Sequence, residues 1–296
     1  MKSSINVSKE NNKENESAKP NPIIDSIKSR YILSKIYNNM TIKKKLEIVK
    51  YNKKIQNRLN LDVKDYKEYS ETFTPIEIEI IPKKDEYGKF INTNENDKLY
   101  YHIYFNDNKE EIKNIYKIDE DDKVKKIKII IDYQIKSFKE LFSDCYCIES
   151  INFKKFYRNN ITDMSFMFSE CSSLKELNLN NFNTNNVINM SNMLYNCFSL
   201  KELNVNNFIT NNVTNMESMF DGCSSLKELN VNNFNTNNVT NMSGMFGECS
   251  SLKELNLNNF NTNNVTNMES MFDGCSDDLK RKIKSKNKNI KAEAFY

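Results

Sequence analysis

The chain has 296 residues, 28% of them charged and 38% hydrophobic, with a net charge of +3. It carries one histidine, His102, and no tryptophan. A single histidine excludes histidine-based triads and multi-histidine metal sites, and no stretch approaches the roughly 18 apolar residues that a membrane span needs.

Residues 1–24 are polar, poor in aromatics and closed off by Pro20 and Pro22, so they read as disordered. Met1 to Asn21 have no apolar core, and no secretory signal peptide is expected. Residues 25–69 read as a small helical segment. Ile32, Leu33, Ile36 and Tyr37 keep the spacing of one helix face, Asn38-Asn39 breaks the run, Thr41 can cap the next, and Leu46, Ile48, Val49, Ile55 and Leu59 continue in short helices. From Asp25 to Asn60 there are ten Lys or Arg against two acidic residues. The cluster Lys43, Lys44, Lys45, Lys50, Lys53, Lys54 and Arg58 lacks interleaved aromatics, so it reads as a solvated helix face and nucleic acid is not an expected partner.

Residues 70–124 read as a β-rich subdomain. Ile76, Ile78 and Ile80 alternate with Glu77 and Glu79, and Tyr101, Ile103 and Phe105 alternate with His102 and Tyr104. These are two strands, expected to pair antiparallel. His102 is opposite in phase to Tyr101 and Ile103, which makes it a surface strand residue. Asp119 to Asp122 lack the spaced ligands of a calcium loop and read as a solvated turn. Ile127 to Ile131 form a short apolar strand.

Cysteines at 145, 171, 197, 223, 249 and 275 follow one another every 26 residues, with Cys147 outside the series. A fixed period marks a repeat and not a disulfide framework, so reduced, buried thiols are expected. The array occupies residues 125–276, with a divergent copy at its start, and a basic helical cap at residues 277–296 ends it. Within a unit, Met190, Met193, Leu194 and Cys197 share the 0, 3, 4, 7 spacing of about two helical turns, and Thr214-x-x-Glu217 and Thr266-x-x-Glu269 fit a capping box. Leu200, Leu203, Val205 and Phe208 follow with strand-like alternation. A short helix plus a strand in 26 residues is a leucine-rich-repeat unit, and such a unit needs neighbours on both faces to bury its apolar side chains. The fold expected is an α/β repeat solenoid of parallel strands and short helices, with an N-terminal helical segment and a small β subdomain.

Solenoids bind through outward strand positions. Here these are Glu176, Asn178 and Asn180; Glu202, Asn204 and Asn206; Glu228, Asn230 and Asn232; Glu254, Asn256 and Asn258. Their columns are identical from unit to unit, which fits a repetitive ligand or a ladder of asparagines whose amides pair with each other. Lysines at 175, 201, 227 and 253 are expected to neutralise the adjacent glutamates. The cysteine and methionine columns read as core filling, and no metal, cofactor or catalytic residue is expected.

The unit V-T-N-M-x-x-M-F-x-x-C-S-S-L-K-E-L-N-V-N-N-F-N-T resembles the BspA-like class of leucine-rich repeats. That resemblance covers about residues 138 to 276 and implies a solenoid used for protein binding, often at a cell surface or in adhesion. Tyr31-Ile32-Leu33-x-x-Ile36-Tyr37, with Leu46-x-Ile48-Val49 and Ile55-x-x-x-Leu59, is similar to an F-box, which implies a substrate adaptor of a ubiquitin ligase. The function expected is a non-enzymatic protein-interaction module, monomeric and cytoplasmic, with the adaptor role and a surface adhesion or antigen role as alternatives.

Overall fold

A computed structural model describes residues 24, 26–40, 44–45, 48, 52–61, 71, 73–113 and 115–296. The disorder read for residues 1–24, apart from residue 24, lies outside the described residues, as do Thr41, Leu46 and Val49. The chain divides into two units, residues 1–70 and 71–296.

In the first unit, α1 (Arg30–Asn38) begins at Ser29, whose hydroxyl accepts from the Ile32 N–H, and α2 (Lys53–Leu59) begins at Asn52, whose side chain accepts from the Ile55 N–H. Asn60 closes α2 in the left-handed conformation, with φ of 56°. Ile24, Leu33 and Ile55 form a small core with Ile27, Met40, Ile48 and Leu59 packed on it. Only half of the apolar stripe on α1 faces inward: Leu33 and Tyr37 are buried, while Ile32 and Ile36 are exposed.

The second unit opens with a five-stranded sheet of order β3-β5-β1-β6-β7, built from β1 (Ile76–Pro82), β3 (Tyr101–Phe105), β5 (Ile127–Ile131), β6 (Ile148–Lys155) and β7 (Glu176–Asn178). A two-residue ribbon joins β2 (Gly88–Lys89) to β4 (Lys117–Ile118). The strands at 76–82 and 101–105 were expected to pair with each other. Instead β5 lies between them, antiparallel to both, with Ile131 opposite Ile76 on one side and Tyr101 on the other. β1 also pairs with β6. The large sheet therefore runs across the boundary expected at residue 124, and the β2–β4 ribbon is the sheet that lies wholly within residues 70–124. The physical reason is burial: Ile127, Ile129 and Ile131 are fully buried, as are Ile76, Ile78 and Ile80, so the apolar face of β5 needs cover beside β1. The polar face of β1 is held by charges, with Glu77 facing Lys155 and Lys128, and Glu79 facing Lys154 and Lys126.

From Ser137 onward each 26-residue unit makes one coil, and the coils stack in register. Parallel bridges link Ser137, Asp163, Asn189, Asn215, Asn241 and Asn267 in succession. The expected two-turn helix is absent from these coils. The N–H groups of Met190, Asn192, Leu194 and Asn196 donate to carbonyls of the next coil, at Asn215, Glu217, Met219 and Asp221. The N–H groups between them, of Met193, Tyr195 and Cys197, reach back three residues. Asn192 and Asn196 both have positive φ, as do Ser218 and Gly222 one coil on. A left-handed residue every fourth position cannot belong to an α-helix. The segment is a run of tight turns, which shares the 0, 3, 4, 7 spacing of buried positions with a helix but sends half of its donors to the neighbouring coil. The capping boxes dissolve accordingly: the Thr214 hydroxyl donates to the Ile188 carbonyl, and Asn215 Oδ1 receives the Glu217 N–H.

The expected strand in every coil is also reduced. β7 pairs parallel with β6, but later coils keep only a single bridge, Glu228 to Glu254. Asparagine competes for the backbone. Oδ1 of Asn178, Asn204, Asn230 and Asn256 accepts the N–H two residues on, which removes that donor from an inter-coil ladder.

The interior is columnar. Phe220, Phe246 and Phe272 stack at 5.7 and 5.8 Å, and Phe182, Phe208 and Phe234 stack at 5.7 and 6.3 Å in a second column. Thr184, Thr210 and Thr236 are buried and clamp the next coil, each hydroxyl both donating to and accepting from its backbone. After the last coil, α3 (Asp277–Lys286) buries Leu279 and Ile283. The tail then returns to supply a further rung. The Ser270 and Phe272 N–H groups donate to the Glu293 and Ala294 carbonyls, and Phe295 stacks on Phe272 at 5.3 Å.

Candidate functional site

The inward Leu and Val of each coil leave the residues between them pointing to solvent. All twelve residues expected on the outer face, from Glu176 to Asn258, are exposed. Glu176, Asn178, Asn180, Glu202, Asn204 and Glu228 line one open groove of about 1040 Å³, and the other six continue the same columns beyond it. The groove is also lined by Lys175, Lys201 and Lys227, with Leu177, Leu179 and Leu203 among its walls. The face thus carries two adjacent rails, a lysine rail (175, 201, 227, 253) and a glutamate rail (176, 202, 228, 254).

The neutralising Lys–Glu pairs expected within each coil do not form among the described residues. Lys175 pairs with Glu149 of the preceding coil at 2.7 Å, and among the described residues Lys201, Lys227 and Lys253 form no salt bridge. In a stack of this kind each rail sets like charges at the coil spacing, about 4.8 Å. Sequence reasoning treated the lysines as mere neutralisers. The signal that places them in the groove is their position one residue before each glutamate, outside the Leu-x-x-Leu frame.

The asparagine ladder exists, but it runs diagonally. Asn204 Nδ2 donates to Asn180 Oδ1 at 3.1 Å and Asn230 Nδ2 to Asn206 Oδ1 at 2.9 Å. A second asparagine series was not foreseen. Asn207 Nδ2 donates to the Leu179 and Phe182 carbonyls of the previous coil, and Asn233 Nδ2 to those of Val205 and Phe208. Asn212, Asn238 and Asn264, which open the Asn-Val-Thr triplets, donate in the same way to Asn185, Asn211 and Asn237. These amides hold the stack together and satisfy carbonyls that a wider strand ladder would otherwise cover.

The cysteine column is buried, and its thiols donate to carbonyls of the coil before: Cys171 to Phe142, Cys197 to Phe168, Cys223 to Leu194, Cys249 to Phe220 and Cys275 to Phe246, at 3.0 to 3.3 Å. Burial pushes the Cys223 thiol up to about 12 and the Cys275 and Cys147 thiols up to about 11, far from nucleophilic range. Among the described residues no group of three His, Cys, Asp or Glu side chains has the arrangement to hold a metal.

His102 sits on β3, half-buried, with Nδ1 3.0 Å from Glu111 Oε1 and Nε2 3.4 Å from Asp132 Oδ2. Burial disfavours its charge, but the two carboxylates outweigh that and raise its pKa. A second cavity, of about 540 Å³, lies beside β2 and β4 and is lined by Lys89, Thr93, Lys98 and Tyr116 among others. Its lysines are engaged: Lys98 with Glu95, Lys117 with Asp119, and Lys89 with Asn92.

Among the described residues no helix is long and apolar enough to cross a membrane. The sequence profile of a family described as "Mycoplasma protein of unknown function, DUF285" matches residues 114–203, 136–229 and 195–293. These overlapping matches span well over half of the chain and include all twelve outer-face residues. A solved structure of a leucine-rich repeat protein from Eubacterium ventriosum is similar at 20% identity with a TM-score of 0.27. The similarity covers 40% of this chain and 29% of that one, so the chain spans less than a third of that protein's length. No curated protein matches the sequence. The F-box likeness of residues 25–69 finds no support in these comparisons.

Proposed function

The chain belongs to the family of Mycoplasma proteins of unknown function, DUF285, and from that premise we propose that it is a non-enzymatic interaction protein whose repeat solenoid binds a protein partner through the two-rail face. The observation that carries this reading is the groove itself. The coils spend most of their apolar side chains and amides on holding the stack, with Ile188, Phe198 and Ile209 left exposed, while the lysine and glutamate rails stay exposed and largely unpaired. Charged residues that do no work in the stack are the ones free to choose a partner. The BspA-like resemblance of the repeats supports the same use. A reducing, cytoplasmic setting belongs to the proposal, because the thiols of the column are placed as S–H donors to carbonyls and not toward one another.

The test is capture of partners by the full chain and by a variant with Glu202→Lys, Glu228→Lys and Glu254→Lys, followed by mass spectrometry. The full chain is expected to capture partners that the variant loses, while the variant's thermal unfolding is unchanged. Partners retained in full by the variant would place binding elsewhere.

A further inference from the structure

We propose that the occupant of the two-rail face is a second copy of this chain, docked face to face with the two stacks running in the same direction. This deepens the reading above and rests on it.

Three features of the face point to a copy of itself. The first is period. The rails repeat their charge once per coil, in register, as the parallel bridge between Glu228 and Glu254 shows, so successive like charges lie about 4.8 Å apart. Like charges set directly opposite one another on a sheet are unfavourable. The neighbouring rail offsets part of this repulsion, and a surface that brings opposite charges at the same spacing over several coils offsets more of it. An ordinary globular surface has no such period, whereas a second array has it by construction.

The second feature is the order of the rails. Lysine and glutamate columns lie side by side, each of one sign. A half-turn about an axis parallel to the stack lays the lysine rail of one copy over the glutamate rail of the other, on both sides at once. A half-turn about an axis parallel to the strand segments lays lysine on lysine. The face is therefore self-complementary in one orientation only, an isologous two-fold pair with both stacks pointing the same way.

The third is room. The groove of about 1040 Å³ along the rails, with Leu177 and Leu203 among its walls, can take the aliphatic stems of the partner's lysines and glutamates while their charged ends meet the opposing rail. The footprint sets the strength. With the two-fold running between the rails, the lysine and glutamate columns are the part that overlaps, about 7 Å by 20 Å over four coils, well under the ~800 Å² per partner that stable complexes bury. The pair is weak, reversible and governed by salt.

The experiment is analytical ultracentrifugation of the full chain over a wide concentration range, at low salt and at about 1 M salt, where the Debye length falls to about 3 Å. The expected result is a concentration-dependent dimer at low salt that dissociates at high salt. Two variants complete it, one with K201E, K227E and K253E, the other with E202K, E228K and E254K. Each alone is expected to remain monomeric at low salt, and an equimolar mixture to associate one to one. All six positions are exposed, and circular dichroism melting confirms that the variants fold. A full chain that stays monomeric at every concentration at low salt, or variants that fail to associate on mixing, overturns the proposal. If the full chain is monomeric yet the E202K, E228K, E254K variant still loses captured partners, self-association fails while the binding face stands. If neither association nor capture depends on the rails, both fail.

Discussion

Gly222→Ala separates the stack of turns from the helix that the spacing suggests, because the two differ in sign. In a helix interior, Gly→Ala stabilises by about 1 kcal/mol. Here Gly222 has φ of +74°, and a Cβ on it would collide with Oδ1 of Asn196 in the coil before. Alanine in the left-handed region costs about 1–2 kcal/mol. Displacing Asn196 also breaks its bond to Glu170 Oε1, 2.9 Å long and half-buried, worth about 0.5–1.5 kcal/mol. The expected destabilisation is about 2–3 kcal/mol. Glycine at 196 is compatible with its positive φ and removes the obstructing side chain. In the Asn196→Gly background the side-chain collision is gone while backbone Cα and N of residue 196 still lie 3.0 and 3.1 Å from the added Cβ, so Gly222→Ala should cost less, falling toward the left-handed penalty of about 1–2 kcal/mol. Urea denaturation of the four proteins of this cycle measures both quantities, with alkylation of Cys223 as a local reporter of opening. A Gly222→Ala variant as stable as the parent or more stable, or a cost that does not fall when Asn196 is removed, would contradict the turn stack.

Phe220→Ala should destabilise by about 3–5 kcal/mol, since the ring is fully buried in a stacked column; Phe220→Leu should cost under about 1.5 kcal/mol, because Leu194 already occupies that column one coil earlier, and urea denaturation compares them. Cys223→Ala should cost about 1–2 kcal/mol through the lost bond to the Leu194 carbonyl and leave metal content unchanged, as unfolding curves and elemental analysis will show. With burial holding Cys223 near 12, native protein should resist alkylation at pH 8 until it unfolds, followed by mass spectrometry. His102 has a raised folded pKa, so its contribution is present in full below about pH 6.5, the ordinary value, and is lost as pH rises through the raised value. The stability gap between the full chain and His102→Gln should shrink over that window, and an NMR titration placing His102 at or below its ordinary value would contradict this.

What could be read from the sequence depended on whether a residue's role repeats in a column. Cys171 to Cys275, the methionines and the phenylalanines recur every 26 residues because each buries against its own copy, so a period of identical side chains reports the stack directly. The outer face was legible for the same reason, since Leu177 and Leu179 point in and Glu176, Asn178 and Asn180 must point out. The helix was not, because consecutive four-residue turns and an α-helix place buried side chains at the same intervals. The distinguishing signal was present in Asn192, Asn196, Gly222, Gly244 and Gly274, residues that accept positive φ at fixed positions. Alternation also carried a second meaning: Gly222 follows Asn196, and Gly274 follows Glu248, because a side chain in one coil occupies the space of a Cβ in the next. The sheet order was hidden, since alternation in 76–80 and 101–105 fixes a buried face but not a neighbour. The inner asparagines were hidden too. Asn207 and Asn233 look like surface composition until their amides are seen filling carbonyls of the coil before.

That each unit is a coil of turns bonded forward to the next and leaving the rails free is tested most directly by detecting hydrogen bonds through NMR coupling between amide nitrogens and carbonyl carbons. Couplings are expected from Leu194 N–H to the Met219 carbonyl and from Asn196 N–H to that of Asp221. Couplings from Leu194 to Met190, the helical pattern, would contradict it.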